Sequence, residues 1–293
     1  MQKILVTGAN GFLGRNLLNT LARNTGLKIY GLVKSKKKIK RIKNIKYIQG
    51  DITNFKKLKK SIKINFDIII NFAGNINHKN KKQTFDAHYK GLKNLLKVIN
   101  YEPNKLFIQI GSSLEYGKKK YPNFEEDDCV PISHYGKSKN LATKFVQKKL
   151  KNFLILRLYQ VYGPLQKKDR IIPITIDSCL KDNSFACSDG LQKRDFLYVD
   201  DFVKLIVKIL KKRNFSSGIY NVGSGKSIKI RTVINKIRRI IKKGKPLFGK
   251  IEMRKEEVLN SFPCISKIKK TFGWKPTTNL QKGLLKTIKS YEN

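Results

Sequence analysis

Tyr135 and Lys139 stand four residues apart in Tyr135-Gly136-Lys137-Ser138-Lys139. On a helix that spacing puts both side chains on one face, within reach of each other. An ammonium beside a phenol favours the phenolate and draws its pKa from ~10 toward neutrality. Such a tyrosine can take a proton from a hydroxyl or give one to a ketone. A second group of hydroxyls lies upstream, in Gly111-Ser112-Ser113-Leu114-Glu115-Tyr116-Gly117. A serine there can hydrogen-bond the reacting oxygen and turn it toward Tyr135; a Ser-rich turn is the plain alternative. With 64 Lys and Arg in the chain, the Tyr/Lys spacing alone also describes a solvated helix face.

A third set is built for phosphate. Thr7-Gly8-Ala9-Asn10-Gly11-Phe12-Leu13-Gly14 follows an apolar triplet and opens a helical pattern. Glycine lets a backbone turn sharply and approach a pyrophosphate, and a helix N-terminus offers free N–H groups and a positive dipole end. Gly8, Asn10, Gly11, Phe12, Leu13 and Gly14 are therefore the candidate cofactor loop. A dinucleotide fold usually places an acid at the end of its second strand for the ribose 2′-hydroxyl. Here the stretch is Leu32-Val33-Lys34-Ser35-Lys36, without an acid. Lys34 suits a 2′-phosphate, which favours NADP over NAD. Asp51 and Ile52 follow the third strand, where Asp51 can accept from an adenine amino group. Ala73 and Gly74 follow the fourth, where small residues let backbone approach a sugar or phosphate. Each of these sits at a strand's C-terminal end, the side on which open α/β sheets bind ligands.

The elements that must hold these residues alternate strand and helix. Ile4 to Val6, Ile29 to Val33, Tyr47 to Gln49, Asp67 to Ile70, Leu106 to Ile110 and Leu154 to Leu158 read as buried strands. Leu13, Leu17, Leu18 and Leu21 recur at helical spacing, and Phe85, Tyr89, Leu92, Leu96 and Ile99 make one stripe of a long helix. A further helix runs from about Ser133 to Leu150, and the basic Lys34 to Lys46 stretch reads as a surface loop or short helix. The fold class is α/β: a Rossmann, doubly wound parallel sheet with a smaller C-terminal lobe. Residues 1–164 form the dinucleotide-binding domain. Residues 165–293 mainly form the second lobe, with about 195–212 returning to the first domain.

The chain has 293 residues, 40% hydrophobic and 29% charged, which excludes global disorder. No apolar run approaches the ~20 residues that span a bilayer, so no membrane partner is expected. The four cysteines are scattered without a CxxC pair, which argues against structural zinc or a disulfide framework and fits a reducing cytoplasm; no metal site is expected. The net charge of +44 invites a nucleic-acid reading. The lysines, however, are spread along every segment, whereas nucleic-acid binders gather Arg and aromatics on one face. The charge reads as compositional bias that draws anionic small molecules, and no nucleic-acid partner is expected.

Taken in order, these stretches resemble an extended short-chain dehydrogenase/reductase of the NAD-dependent epimerase/dehydratase family, which modifies nucleotide sugars. Four later stretches carry the same resemblance across nearly the whole chain: Arg157-Leu158-Tyr159-Gln160-Val161-Tyr162-Gly163-Pro164, Arg194-Asp195-Phe196-Leu197-Tyr198-Val199-Asp200-Asp201, Tyr220-Asn221-Val222-Gly223-Ser224-Gly225 and Phe272-Gly273-Trp274-Lys275-Pro276. The resemblance implies a catalytic set of Ser112, Tyr135 and Lys139, with Ser113 as the other serine open to the role. Lys139 also bonds the nicotinamide ribose, so Tyr135 and Lys139 count as cofactor-binding too. Ser113, Gln160 and Arg194 are implied for substrate, Arg194 on a phosphate. A homodimer through the helices of Leu92 and Tyr135 is also implied.

Departures from the family pattern narrow the reaction. Ser113-Leu114 replaces the Asp-Glu of sugar 4,6-dehydratases, so dehydration is disfavoured. Gln160 stands where an Asn is usual, and His88 replaces another Asn, first of all as a packing change. The Ser-Ser-Leu-Glu-Tyr-Gly form and the missing acid after strand two resemble 4-ketoreductases that consume NADPH. The expectation is a 4-ketoreductase of a 4-keto-6-deoxy sugar nucleotide, against an NAD-dependent 4-epimerase or, in another class, an inactive cofactor-binding or RNA-associated scaffold. The cofactor is NADP or NAD.

Overall fold

The first strand already shows why this sequence makes a parallel sheet. Ile4, Leu5 and Val6 are each fully buried, so the strand is covered on both faces. The computed structural model describes all residues except 24–25, 38, 76–79, 213–214, 254–256 and 293. Its elements run β1 (Gln2–Thr7), α1 (Phe12–Leu21), β2 (Leu27–Val33), β3 (Ile45–Gln49), α2 (Phe55–Ser61), β4 (Ile68–Asn71), α3 (Lys81–Phe85), a π-helical turn (Asp86–Lys90), α4 (Gly91–Val98), β5 (Leu106–Ser112), a 3-10 turn (Ser113–Glu115), α5 (His134–Lys149) and β6 (Phe153–Leu158). There follow β7 (Gln160–Tyr162), α6 (Ile171–Leu180), β8 (Ser184–Ala186), β9 (Lys193–Arg194), β10 (Phe196–Tyr198), α7 (Val199–Lys211), β11 (Gly218–Val222), β12 (Ile228–Lys229), α8 (Ile230–Ile241), β13 (Lys245–Leu247), α9 (Ser266–Phe272) and α10 (Leu280–Lys289).

The chain divides into two compact units. The first comprises Met1–Lys118, Glu125–Arg157 and Ile209–Tyr220; the second comprises Lys119–Phe124, Leu158–Lys208 and Asn221–Asn293. The sequence expectation set its boundary at 164 and its returning segment at about 195–212. The structure breaks at 157/158, and the returning segment is Ile209–Tyr220.

A seven-stranded sheet in the order β11-β6-β5-β4-β1-β2-β3 centres the first unit. The pairings of β1 with β2 and β4, of β2 with β3 and of β4 with β5 are parallel. The strand order reverses between β1 and β4, the crevice where such sheets take ligands. On one face Leu5, Leu58, Ile69, Leu92, Phe107 and Val146 form a continuous core. The expected single helix of Phe85 to Ile99 is present, but its middle turn is π-helical. The wider turn rotates His88 inward, where it is 2% exposed, and leaves Phe85 and Tyr89 half-buried. Gly91 packs closely there: a Cβ would stand 2.6 Å from Ile52 Cδ1, so the Ile52 side chain would have to shift. The helix α2 lay outside the sequence expectation; Asn54 caps it by accepting from Lys57 N–H. The described part of Lys34–Lys46 is turn and coil up to β3; Lys38 lies outside the described residues.

The second unit is built from short pieces. β7 pairs with β10, β9 with β12 and β8 with β13, each in a two-stranded ribbon. Side chains tie the loops together. Buried Asp195 accepts from Ser224 N–H (2.6 Å) and Lys226 N–H (3.1 Å), so two of the motif stretches are bonded to each other. Buried Asp201 accepts from Thr277 N–H (3.1 Å) and Thr278 N–H (2.8 Å), while Trp274 Nε1 donates to the Asp201 carbonyl (2.9 Å). Among the described residues no helix is long and apolar enough to cross a membrane. Among them, too, no group of three His, Cys, Asp or Glu side chains is placed to hold a metal.

Candidate active site

The phosphate loop is dictated by the fit of β1 against the end of β4. Gly8 has φ +62°, and a Cβ there would lie 2.8 Å from the Phe72 backbone. A Cβ on Gly14 would stand 2.4 Å from the Gly8 carbonyl oxygen. The loop is thus folded too closely for side chains at both positions. The first turn of α1 has no side-chain cap and no acidic residue, so its N–H groups remain open to an anion. The neighbouring Arg15 keeps a buried Nε without a partner. This cradle fits a dinucleotide diphosphate. Asn10 and Gly11 are exposed at its mouth, with Phe12 and Leu13 half-buried behind them.

At the ends of β2 and β3, the two residues to which the sequence expectation gave separate roles meet each other. Lys34 and Asp51 form an ion pair at 3.0 Å, on side chains 73% and 30% exposed. Burial pushes the Asp51 carboxyl up, but hydrogen bonds from Thr53 and Lys34 prevail and hold it below its ordinary value. Ile52 is buried beside it. Ala73 N–H donates to Thr7 Oγ1 (3.1 Å), and Gly74 is exposed after it.

A buried polar chain links this loop to the chemistry. Thr7 Oγ1 donates to Asn71 Oδ1 (2.6 Å), Asn71 Nδ2 to Gln109 Oε1 (2.8 Å), and Gln109 Nε2 to the Ile110 carbonyl (3.2 Å). Lys139 Nζ donates to the same carbonyl at 2.8 Å. The chain crosses the ends of β1, β4 and β5 and stops at the lysine. Lys139 is 5% exposed. Burial pulls it down to about 8, against the opposing influence of the Glu115 carboxylate.

Tyr135 and Lys139 sit in the first turns of α5, which Ser133 caps by accepting from Gly136 N–H (3.1 Å). The ammonium lies 5.9 Å from the Tyr135 ring centre. Gly136 lets the helix press on the 3-10 turn, since a Cβ would meet the Leu114 carbonyl oxygen at 2.3 Å. His88 packs edge-on against Tyr135, ring centres 5.0 Å apart. Its Nε2 accepts from Asn75 N–H (3.2 Å), so Nδ1 carries the proton and donates to Ser138 Oγ (2.8 Å). Ser138 in turn donates to the Tyr135 carbonyl (2.8 Å). His88 therefore does more than fill space: it braces the turn that carries the tyrosine.

Ser112 ends β5 and is 7% exposed; Ser113 is half-buried in the following turn. Ser112 Oγ accepts from Leu114 N–H (3.2 Å), which leaves its proton for a substrate oxygen. Beneath it lies Glu115, fully buried and absent from the sequence reading as a functional residue. Glu115 Oε1 accepts from Ser112 N–H (2.8 Å), and Oε2 from Thr143 Oγ1 (2.8 Å) and Arg157 Nε (3.2 Å). Its sequence signal was the Ser-x-x-Glu spacing of a capping box, which the structure forms. Arg157 is buried too; burial opposes its charge, but Glu115 overrides this and raises the guanidinium above its ordinary value.

Gln160 and Arg194 belong to the second unit. There a cavity of about 360 Å³ is lined by Gln160, Arg170, Phe185, Ser188, Arg194 and Glu257, among others. Gln160 is exposed, whereas Arg194 is 9% exposed. The Arg194 guanidinium pairs with Glu257 and donates to the Lys193 carbonyl (2.7 Å). Glu257 was not singled out by sequence; no spacing marks an acid 63 residues from its partner.

The profile of the NAD dependent epimerase/dehydratase family matches residues 4–223, which carry the glycine loop, Ser112, Tyr135 and Lys139. A putative UDP-glucose 4-epimerase of Methanocaldococcus jannaschii is 29% identical, covering 99% of this chain and 98% of the relative. A CDP-abequose synthase of Salmonella muenchen is 28% identical, covering 99% and 98%. Among solved structures, UDP-glucuronic acid 4-epimerase from Bacillus cereus, in complex with UDP-glucuronic acid and NAD, superposes with a TM-score of 0.86. It is 25% identical, with 99% of each chain covered.

Proposed function

The chain belongs to the NAD dependent epimerase/dehydratase family, and from that premise we propose that it is a nicotinamide-dependent oxidoreductase acting at C4 of a nucleotide-linked hexose, as a 4-ketoreductase of a 4-keto-6-deoxy sugar nucleotide. The observation that carries the reading is the Tyr135–Lys139 pair braced on the end of β5, with Ser112 on the same strand. Bound in the glycine-loop crevice, the cofactor supplies the hydride exchanged with the sugar carbon. Ser112 Oγ hydrogen-bonds the C4 oxygen and holds it toward Tyr135. Tyr135 Oη gives its proton to that oxygen as charge develops there. Lys139 stabilises the phenolate left behind and bonds the nicotinamide ribose. The residues for the diphosphate are Gly8, Gly11, Gly14 and the first N–H groups of α1. Arg194 takes the substrate diphosphate in exchange for Glu257, a role suited to a planar, two-pronged donor.

Reduction without loss of water is supported by the residues that come directly after Ser112. Ser113 and Leu114 offer no carboxyl group. Glu115, the nearest acid along the chain, is turned inward and occupied by Ser112, Thr143 and Arg157. The second reading, a 4-epimerase, is favoured by the Methanocaldococcus jannaschii and Bacillus cereus relatives, both named as 4-epimerases. It uses the same side chains, with Tyr135 first removing the proton from the C4 hydroxyl.

Mass spectrometry of small molecules released on denaturing the purified protein separates the two. A reductase is isolated without stoichiometric NAD and binds NADPH well above NADH. Stoichiometric NAD, with interconversion of C4 epimers of a nucleotide hexose, assigns the epimerase and overturns the reductase. A homodimer through α4 and α5 completes the proposal. Leu141 is 42% exposed on α5, and half-buried Phe85, Tyr89 and Phe145 form an aromatic run beside it. Light scattering that returns a single-chain mass rejects the dimer.

A further inference from the structure

A fully buried acid three residues past the end of a strand is costly to maintain unless it is paired and hydrogen-bonded. Glu115 is both, and three elements converge on it: β5 through Ser112 N–H, α5 through Thr143, β6 through Arg157. The strand has made room for it, because a Cβ on Gly111 would stand 2.7 Å from Glu115 Oε1. Thr143 lies one helical turn after Lys139, on the same face of α5. Lys139 is anchored to Ile110, the residue before Gly111. The carboxylate and the ammonium are thus held at neighbouring points of the same β5–α5 seam. Arg157 from β6 and Cys129 from the segment before α5 also face Glu115, and Tyr116 at the end of the same turn faces Arg157. The Arg157 guanidinium lies 4.4 Å over the Tyr116 ring.

We propose that Glu115 is a positioning residue for the proposed reaction: its buried carboxylate fixes the backbone of Ser112 and, bonded to Thr143 one turn beyond Lys139, sets a negative charge on the β5–α5 seam that carries the Tyr135–Lys139 pair. The inference rests on the catalytic reading of Tyr135 and Lys139. Burial alone works against the Lys139 charge, and the Glu115 carboxylate is the group that offsets it. With Glu115 neutral, Lys139 gives up its proton more readily, and Tyr135 loses the cation that favours its phenolate.

The test is a pH titration of the full chain with NADP bound, using tyrosine labelled with 13C at Cζ. The Tyr135 resonance is the one absent from Tyr135→Phe. His88 packs on the same ring, so His88→Asn serves as a control for its charge. In wild type the Tyr135 midpoint is expected well below ~10. In Glu115→Gln it rises by about one pH unit, and in Glu115→Asp it returns toward wild type. A folded Glu115→Gln protein with an unmoved midpoint reduces Glu115 to packing and overturns the inference. If Glu115→Gln does not fold, Glu115→Gln/Arg157→Gln removes both members of the pair. The midpoint must still rise there, because the charge acting on Lys139 is gone. A wild-type midpoint at the ordinary phenol value defeats the catalytic reading itself, which is a separate result from an unmoved midpoint in the variant.

Discussion

The two units use buried polar groups in different ways. In the first, the sheet satisfies the backbone, and the buried side chains Thr7, Asn71 and Gln109 form a line that leads to Lys139. In the second, strands are two to three residues long, and buried Asp195, Asp201 and Asn123 satisfy the backbone of loops. Asn123 shows the pattern in small: its Nδ2 donates to the Lys120 carbonyl (3.4 Å), and its own carbonyl accepts from Asn221 Nδ2 (3.0 Å). Where regular structure pairs the N–H and C=O groups, polar side chains are left to arrange chemistry. Where it does not, they are taken up by the backbone.

The largest test of this contrast removes one oxygen. Tyr135→Phe keeps the ring against His88 and leaves the buried chain intact. Turnover should fall by roughly two to four orders of magnitude, while cofactor affinity and melting temperature stay at wild-type values. Near-normal turnover would falsify the role given to Tyr135. A large loss of stability would mean the first unit's polar groups are structural after all.

The matching test in the second unit is of stability against pH. Burial pushes Asp195 up to about 6, although N–H groups of Ser224, Gly225 and Lys226 favour its ionised form. A raised folded pKa means the folded state binds more protons between the unfolded value of 3.8 and about 6. The contribution is therefore full below pH ~4 and is lost as pH rises through about 6. Relative to Asp195→Asn, wild type should lose ~2–3 kcal/mol of stability between pH 4 and 7. Denaturant unfolding of both proteins across that range measures it; a pH-independent difference rejects the assignment.

Arg194→Met asks whether the second unit also binds substrate. KM for the nucleotide sugar should rise by roughly tenfold to a hundredfold with kcat kept. NAD affinity should not change, since the phosphate loop lies in the first unit. A fall in kcat with KM unchanged places Arg194 in the chemistry instead.

Legibility followed the same division. The strands and helices of the first unit were readable because each buries a continuous apolar face, as Ile4 to Val6 and Leu17 to Leu21 do. The π turn at Asp86–Lys90 was not, because the stripe from Phe85 to Ile99 fits a regular helix equally well. In the second unit, two- and three-residue strands have no period to detect, and only resemblance to the family marked its stretches. Type and spacing brought Tyr135, Lys139 and the two serines forward as candidates, and only the resemblance to the family joined them into one set. Their support was not: Glu115, Thr143 and Arg157 meet across separations of 28 and 42 residues. His88 read as packing, since nothing in the sequence places its ring on Tyr135.

The smallest expected effect concerns Lys34. Its pair with Asp51 is largely exposed, and such pairs contribute only ~0–1 kcal/mol. Lys34→Ser should therefore leave melting temperature almost unchanged. Cofactor choice is another matter, because a cation at the end of β2 attracts a 2′-phosphate and has no comparable partner on a 2′-hydroxyl. Asp51 competes for that cation, so the preference for NADPH should be moderate, and its loss in Lys34→Ser about tenfold, with NADH affinity kept. Direct titration with both cofactors reads the ratio. If the ratio does not move, Lys34 serves Asp51 alone, and the first unit distinguishes the two cofactors elsewhere, with Arg15 and its unpaired buried nitrogen the next group to replace.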